Sequence, residues 1–217
     1  MIKRLTSTCI LGLLLTILSI NTFAAAPANN YSNSWTPVRF DIIEGIYWPK
    51  TNNAYGLILG LPYAYINQGT DGKSDGVIIA FVTECDNATG LQMAVLNINS
   101  YHSSGLQLAG MNVARWYAGV QIGGYNEFEQ GSGFQLGLCN VSSVKSDSVM
   151  ISLINYSDFN SKGVQIGISN SASDFDGVQI GVFNINGDNG SKGVQIGLLN
   201  YMKNGFIPFC PFINFSL

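Results

Sequence analysis

The chain holds one histidine, His102, in the run Asn99-Ser-Tyr-His-Ser-Ser104. A Ser/His/Asp or Cys/His device would have to use it as its base. No acidic residue stands at a fixed spacing from it, and its polar surroundings read as a solvated turn. The cysteines, Cys9, Cys85, Cys139 and Cys210, are scattered and match no zinc-ligand spacing. Asn184-Ile-Asn-Gly-Asp-Asn-Gly190 and Asp71-Gly-Lys-Ser-Asp75 place oxygen ligands at calcium-like intervals. Neither has the closing Glu of a calcium loop, so both read as plain turns. The glycines that open at Gly163 and Gly193 lack the third Gly and the following helix of a nucleotide fingerprint. Asp158, Asp174, Asp176 and Asp188 fall close together in the last turns. Paired carboxylates can work as acid and base only where burial separates their pKa values, and turn aspartates are usually solvated caps. The sequence therefore predicts no catalytic, cofactor-binding or metal-binding residue. It reads as a non-enzyme that needs no cofactor.

The elements that carry these residues are copies of one another. Gly163-Val-Gln-Ile-Gly-Ile-Ser-Asn170 returns as Gly177-Val-Gln-Ile-Gly-Val-Phe-Asn184 and as Gly193-Val-Gln-Ile-Gly-Leu-Leu-Asn200. The same frame starts at Gly56, Gly76, Gly90, Gly105, Gly119, Gly133 and Ser148, which makes ten units. Their spacing is 14–16 residues after a first interval of 20. The first residue is Gly in nine units, the third is Gln in seven, and the eighth is Asn in the last eight. The fifth is always small. Thus Gly163, Gln165, Gly167 and Asn170 recur as Gly177, Gln179, Gly181 and Asn184, and as Gly193, Gln195, Gly197 and Asn200. Positions two and four are always apolar, and position six is apolar in eight units. That period of two is a β-strand with one apolar face. The polar runs between, such as Ser157-Asp-Phe-Asn-Ser-Lys162, are rich in turn residues. Helical periodicity is absent after the first segment, and the fold class is all-β.

Composition agrees. Of 217 residues, 47 % are hydrophobic, only 11 % are charged and 25 are Gly. Low charge with high hydrophobicity excludes a disordered chain. A net charge of −3 with no basic cluster argues against a nucleic-acid partner. Lys3 and Arg4 precede an apolar run from Cys9 to Ile20, and Thr22-Phe23-Ala24 follows with small residues at −3 and −1. The run is shorter than the roughly 20 residues a membrane-spanning helix needs. Residues 1–24 read as a secretory signal peptide and 25–36 as a flexible mature N-terminus. Residues 37–217 then form a single β-repeat domain. Loss of Lys3 and Arg4 leaves eight basic against thirteen acidic residues, a net charge of −5.

A repeated strand with one apolar face has two solutions. One is an up-and-down antiparallel outer-membrane β-barrel of about 12 strands, its apolar face toward lipid and its Gly and Gln inside. Three features point there: the low charge, aromatics near strand ends (Tyr101, Trp116, Tyr117, Phe159, Phe175), and the alternation of Phe209, Pro211, Ile213, Phe215 and Leu217. The other is a β-solenoid of ten 14–16-residue coils. Its apolar face would make a thin core, and its Gln and Asn would form ladders. The near-constant interval, the single Asn column, and Pro208 and Pro211 as end-cap residues point there. The barrel is the main expectation and the solenoid the alternative.

The unit G-[VL]-Q-[IL]-G-x-x-N at this spacing resembles that of the bacterial surface repeat-containing protein family, known from spirochaetes and other Gram-negative bacteria. The closing run Asn204-Gly-Phe-Ile-Pro-Phe-Cys-Pro-Phe-Ile-Asn-Phe-Ser-Leu217 resembles that family's tail, although its last residue there is usually aromatic. The resemblance covers residues 37–217 and is poorer in the first two units, which lack the Gln and Asn. It implies export and a place in the outer membrane or on the cell surface, and it supplies no catalytic residues. The expected function is that of an exported, non-enzymatic outer-membrane or surface β-repeat protein with a structural or pore-like role and outer-membrane lipid as partner. The alternative is a secreted or surface β-solenoid acting as a binding or adhesion module through its Gln face or turn edge, with its ligand or host partner open.

Overall fold

The computed structural model of the protein describes residues 35–43, 46–49, 53–66, 73–187 and 190–216. The expected signal peptide, residues 1–24, lies outside the described residues.

Every regular element described is a strand. In chain order they are β1 (Trp35–Ile43), β2 (Ile46–Trp48), β3 (Asn53–Ile66), β4 (Lys73–Cys85), β5 (Asn87–Ile151), β6 (Ile154–Ser157), β7 (Ser161–Ala172), β8 (Phe175–Asn186), β9 (Lys192–Met202) and β10 (Phe209–Ser216). β5 is one extended run of 65 residues that winds through several repeats. The sheet order is β10-β9-β8-β7-β6-β5-β4-β3-β1-β2. From β3 to β9 every neighbouring pair is parallel. Equivalent repeat positions stack on one another: Gly163 on Gly177, Gln165 on Gln179 and Asn170 on Asn184, then Gly177 on Gly193, Gln179 on Gln195 and Asn184 on Asn200. The fold is a parallel β-solenoid in which each repeat is one coil.

This overturns the antiparallel barrel of about 12 strands. An up-and-down barrel needs antiparallel neighbours throughout and a sheet closed on itself. Among the described residues the repeat strands run parallel, antiparallel pairs occur only at β1–β2 and β9–β10, and no pairing joins β2 to β10. The aromatics do not form a girdle either. Tyr117 and Phe175 point inward and are buried, while Tyr101, Trp116 and Phe159 are exposed. The physical reason lies in the polar columns. An Asn meets the next Asn only if successive strands run the same way and in register. In antiparallel neighbours the column would alternate between the two ends of the strands. The outer-membrane barrel reading falls with it.

The solenoid alternative needs a correction of its own. Its apolar face was expected to form the core, with Gln on an outer face. The interior is instead lined by the amides: Gln165, Gln179, Gln195, Asn170, Asn184 and Asn200 are all at most 1 % exposed. The apolar positions four and six point outward, with Ile168 at 51 % and Leu198 at 59 % exposed. Period two separates two faces but does not say which is inside. In a stack of identical coils each amide can donate to one copy and accept from the next, so burial leaves it satisfied.

Where the repeat loses its amides, the interior turns apolar. In the first two coils the Gln column holds Ile58 and Ile78, and these pack with Ala54, Ala64, Cys85 and Ala88. Both ends of the stack are closed. At one end β1 lies parallel on β3, and β2 returns antiparallel on β1. At the other, β10 runs antiparallel along β9, so the last coil does not offer an open parallel edge. Pro211 sits in this capping strand, where a missing N–H is tolerated.

Candidate functional site

The interior is built by two amide ladders. The Asn ladder runs unbroken from Asn97 to Asn200: each Nδ2 donates to the Oδ1 of the next coil, at 2.7–3.1 Å. The same Nδ2 also reaches a backbone carbonyl at position four of that coil, as Asn170 does to Ile180 at 2.9 Å and Asn184 to Ile196 at 3.0 Å. This explains the small residue at position five. A Cβ on Gly181 would lie 2.3 Å from the Gly167 oxygen and 2.6 Å from Asn170 Nδ2.

The Gln ladder donates the opposite way along the stack. Gln107 Nε2 donates to Gln92 Oε1, Gln121 to Gln107 and Gln135 to Gln121, at 2.5–2.8 Å. Then Met150 fills the column. The ladder resumes as Gln179 donates to Gln165 and Gln195 to Gln179, at 2.7 and 2.8 Å. Two Gln acceptors are left without a donor: Gln135 Oε1, next to the Met150 gap, and Gln195 Oε1, in the last coil. Ser142 and Ser146, in the same coil as Gln135, also have unpartnered buried hydroxyls.

The glycines of position one have a different cause. Gly177 has φ +152°, Gly163 +123° and Gly193 +131°, and a Cβ on each would stand 1.9–2.1 Å from a carbonyl oxygen of the preceding coil. Gly fits this positive-φ corner in nine of the ten coils, and Ser148, which opens the other, does not share the positive φ.

The first coil is closed by a buried ion pair. Arg39 Nε donates to Asp41 Oδ1 at 2.6 Å with both side chains at most 1 % exposed. Arg39 Nη2 donates to the Tyr65 carbonyl at 2.6 Å, and the Tyr65 N–H donates to Asp41 Oδ2 at 3.2 Å. Burial pushes the Asp41 carboxyl up, and Arg39 opposes that shift.

The residues whose types could do chemistry are dispersed. His102 is exposed and stacks on Trp116 at 5.5 Å between ring centroids. Cys85, Cys139 and Cys210 are free. Burial holds the Cys85 and Cys139 thiols above the ordinary range, which makes them poor nucleophiles. Among the described residues no group of His, Cys, Asp or Glu is placed to hold a metal ion. Asp71, Asp188 and Asn189 of the calcium-like runs lie outside the described residues. Two turn aspartates work locally: Asp158 Oδ1 accepts from Ser173 Oγ at 2.9 Å, and Asp176 Oδ1 accepts from the Lys192 N–H at 3.0 Å.

What the coils do present is an outward sheet of apolar side chains. Positions four and six stack into two columns across the strands. A shallow hollow between them is lined by Leu136, Leu138, Ile151, Leu153, Ile166 and Ile168. From the second coil to the tenth, positions two to seven contain no charged residue. The charges lie at position nine and beyond, on the turn side, where Arg115 and Glu129 approach to 3.4 Å in solvent. Sequence reasoning found these columns but assigned them to lipid in the barrel and to a thin core in the solenoid. It missed Met150 and the Arg39–Asp41 pair. The signal for Met150 was present, since the unit from Ser148 departs from the repeat at positions one, three and five together.

These features define a class: a parallel β-solenoid with an amide-laddered interior and an apolar outer sheet. A scan of family models and searches of curated proteins and of solved structures found no match to this chain.

Proposed function

We propose that this protein is an exported, non-catalytic β-solenoid that works as a binding module at the cell surface. One observation carries the reading: the apolar column of position four is turned outward along nine successive coils, and position six adds an apolar side chain beside it in seven of them. An exposed apolar patch of that length is a mark of an association surface. The dispersal of His102, the cysteines and the turn aspartates supports a non-catalytic role. The signal-peptide pattern of residues 1–24 and the resemblance to surface repeat proteins support export.

The test is direct. Purified chain added to intact cells that express it should sediment with them. The doubly substituted chain, Leu138→Ser with Ile168→Ser, should stay in the supernatant while keeping its β circular-dichroism spectrum. Both side chains point outward, so the ladders are untouched. Equal sedimentation of the two chains would overturn the reading. So would retention of the native protein in the cytoplasm with residues 1–24 uncut.

A further inference from the structure

We infer that the occupant of the apolar sheet is a second copy of this chain, packed sheet against sheet about a two-fold axis. The inference rests on the binding-module reading and names its partner.

The area is the first support. Nine coils spaced about 4.8 Å apart extend about 43 Å, and five strand residues span about 16 Å, so the footprint is roughly 700 Å². That exceeds the largest patch of a typical monomer, about 300–600 Å². It approaches the ~800 Å² that each partner contributes to a standard interface. The shape is the second support. Parallel in-register coils place position four in one straight apolar row and position six in a second, broken at Gly110 and Gly124, and two such faces can interdigitate as stacked sheets do, about 10 Å apart. A face that is self-complementary in this way closes as a dimer and leaves no growing end.

Charge is the third support, and it decides against a lipid surface. Membrane-surface elements flank their apolar face with Lys and Arg. Here residues 76–202, Asp188 aside, carry eight acidic and four basic side chains, and none lies at positions two to seven. Anionic headgroups would be repelled by the turn side. A second copy meets the apolar sheet with another uncharged sheet and leaves both turn sides in water.

The experiment is the mass of the full chain in solution by multi-angle light scattering at micromolar concentration. The wild type should have twice the chain mass. Leu138→Ser with Ile168→Ser should have the mass of one chain, with an unchanged far-ultraviolet spectrum. Both chains carry residues 1–34 unaltered, so a difference reports on the sheet. Should that pair fold poorly, Ile196→Ser with Leu198→Ser makes the same comparison at the far end of the face. A wild type of single-chain mass, or a dimer that persists in both variants, overturns the inference. A single-chain wild type that sediments with cells, or floats with uncharged phosphatidylcholine vesicles, overturns the second copy and leaves the binding module standing. A single-chain wild type that does neither overturns both.

Discussion

Met150 stands in the Gln column one coil after Gln135, and the Gln135 Oε1 it covers has no donor. On the far side Gln165 Nε2 donates instead to Ser157 Oγ at 2.8 Å and lies 3.9 Å from the Met150 sulfur. A thioether is a weak acceptor and offers no N–H. The ladder is thus two segments, and the break coincides with the coil whose first residue is Ser148 rather than Gly.

Met150→Gln should join the segments. The new amide can donate to Gln135 Oε1 and accept from Gln165 Nε2. Each restored buried hydrogen bond is worth about 1 kcal/mol net, so the denaturation midpoint should rise. A fall in midpoint would show that the column is too narrow there for an amide.

Gln121→Leu should do the reverse. Gln121 accepts from Gln135 and donates to Gln107, both at 2.8 Å. Its loss leaves one buried donor and one buried acceptor unpaired, at about 1–3 kcal/mol each. Urea unfolding of the two proteins side by side measures the difference. A change below the cost of one orphaned group would contradict the ladder.

Gly163→Ala tests the corner of the coil. It needs an alanine at φ +123° with its Cβ 2.0 Å from the Ser148 oxygen. The stack should open there and the protein should fail to fold or lose most of its stability. Gly190→Ala is the control. Its Cβ would meet nothing closer than Asp174 Oδ1 at 3.5 Å, so thermal unfolding should move little.

Asp41→Asn should cost more than a surface substitution, because it removes the carboxylate charge that lies 2.6 Å from the buried Arg39 guanidinium. Breaking a buried pair in this way costs about 3–5 kcal/mol. Replacing both partners, Arg39→Met with Asp41→Leu, should recover much of that loss. Calorimetric midpoints of the single and double variants test the coupling.

Alkali should unfold the protein through its interior phenols. Tyr117 is buried, its hydroxyl sits 2.8 Å from the carbonyls of both Gly105 and Val120, and burial holds its pKa above the ordinary 10.0. Above that pH the unfolded chain gives up a proton that the folded chain keeps. The folded state binds more protons, so stability falls as pH rises through this range and is unaffected below it. Urea midpoints should be flat between about pH 6 and about pH 8 and should drop by about pH 11. Tyr117→Phe should lessen that drop, with the buried Cys85 and Cys139 thiols contributing to what remains.

Much of this molecule was legible from the chain alone. The copies of Gly, Gln and Asn set the coil length, and the register they imply is the one in which Gly163, Gln165 and Asn170 stack on Gly177, Gln179 and Asn184. Alternation at positions two, four and six fixed the strands, because a strand has period two whatever surrounds it.

Two matters were left to the tertiary structure. Strand direction depends on what a coil meets 14–16 residues away, and one repeat does not encode whether its neighbour runs with it or against it. The choice of interior face depends on the same neighbours. An isolated Asn170 is polar and belongs in water. Held between Asn155 and Asn184 at 2.9 and 2.8 Å, it has its donor and acceptor filled and can be buried. Once the amides are satisfied only inside the stack, the alternating strand must turn Ile166 and Ile168 outward, and the apolar surface of the protein follows from that.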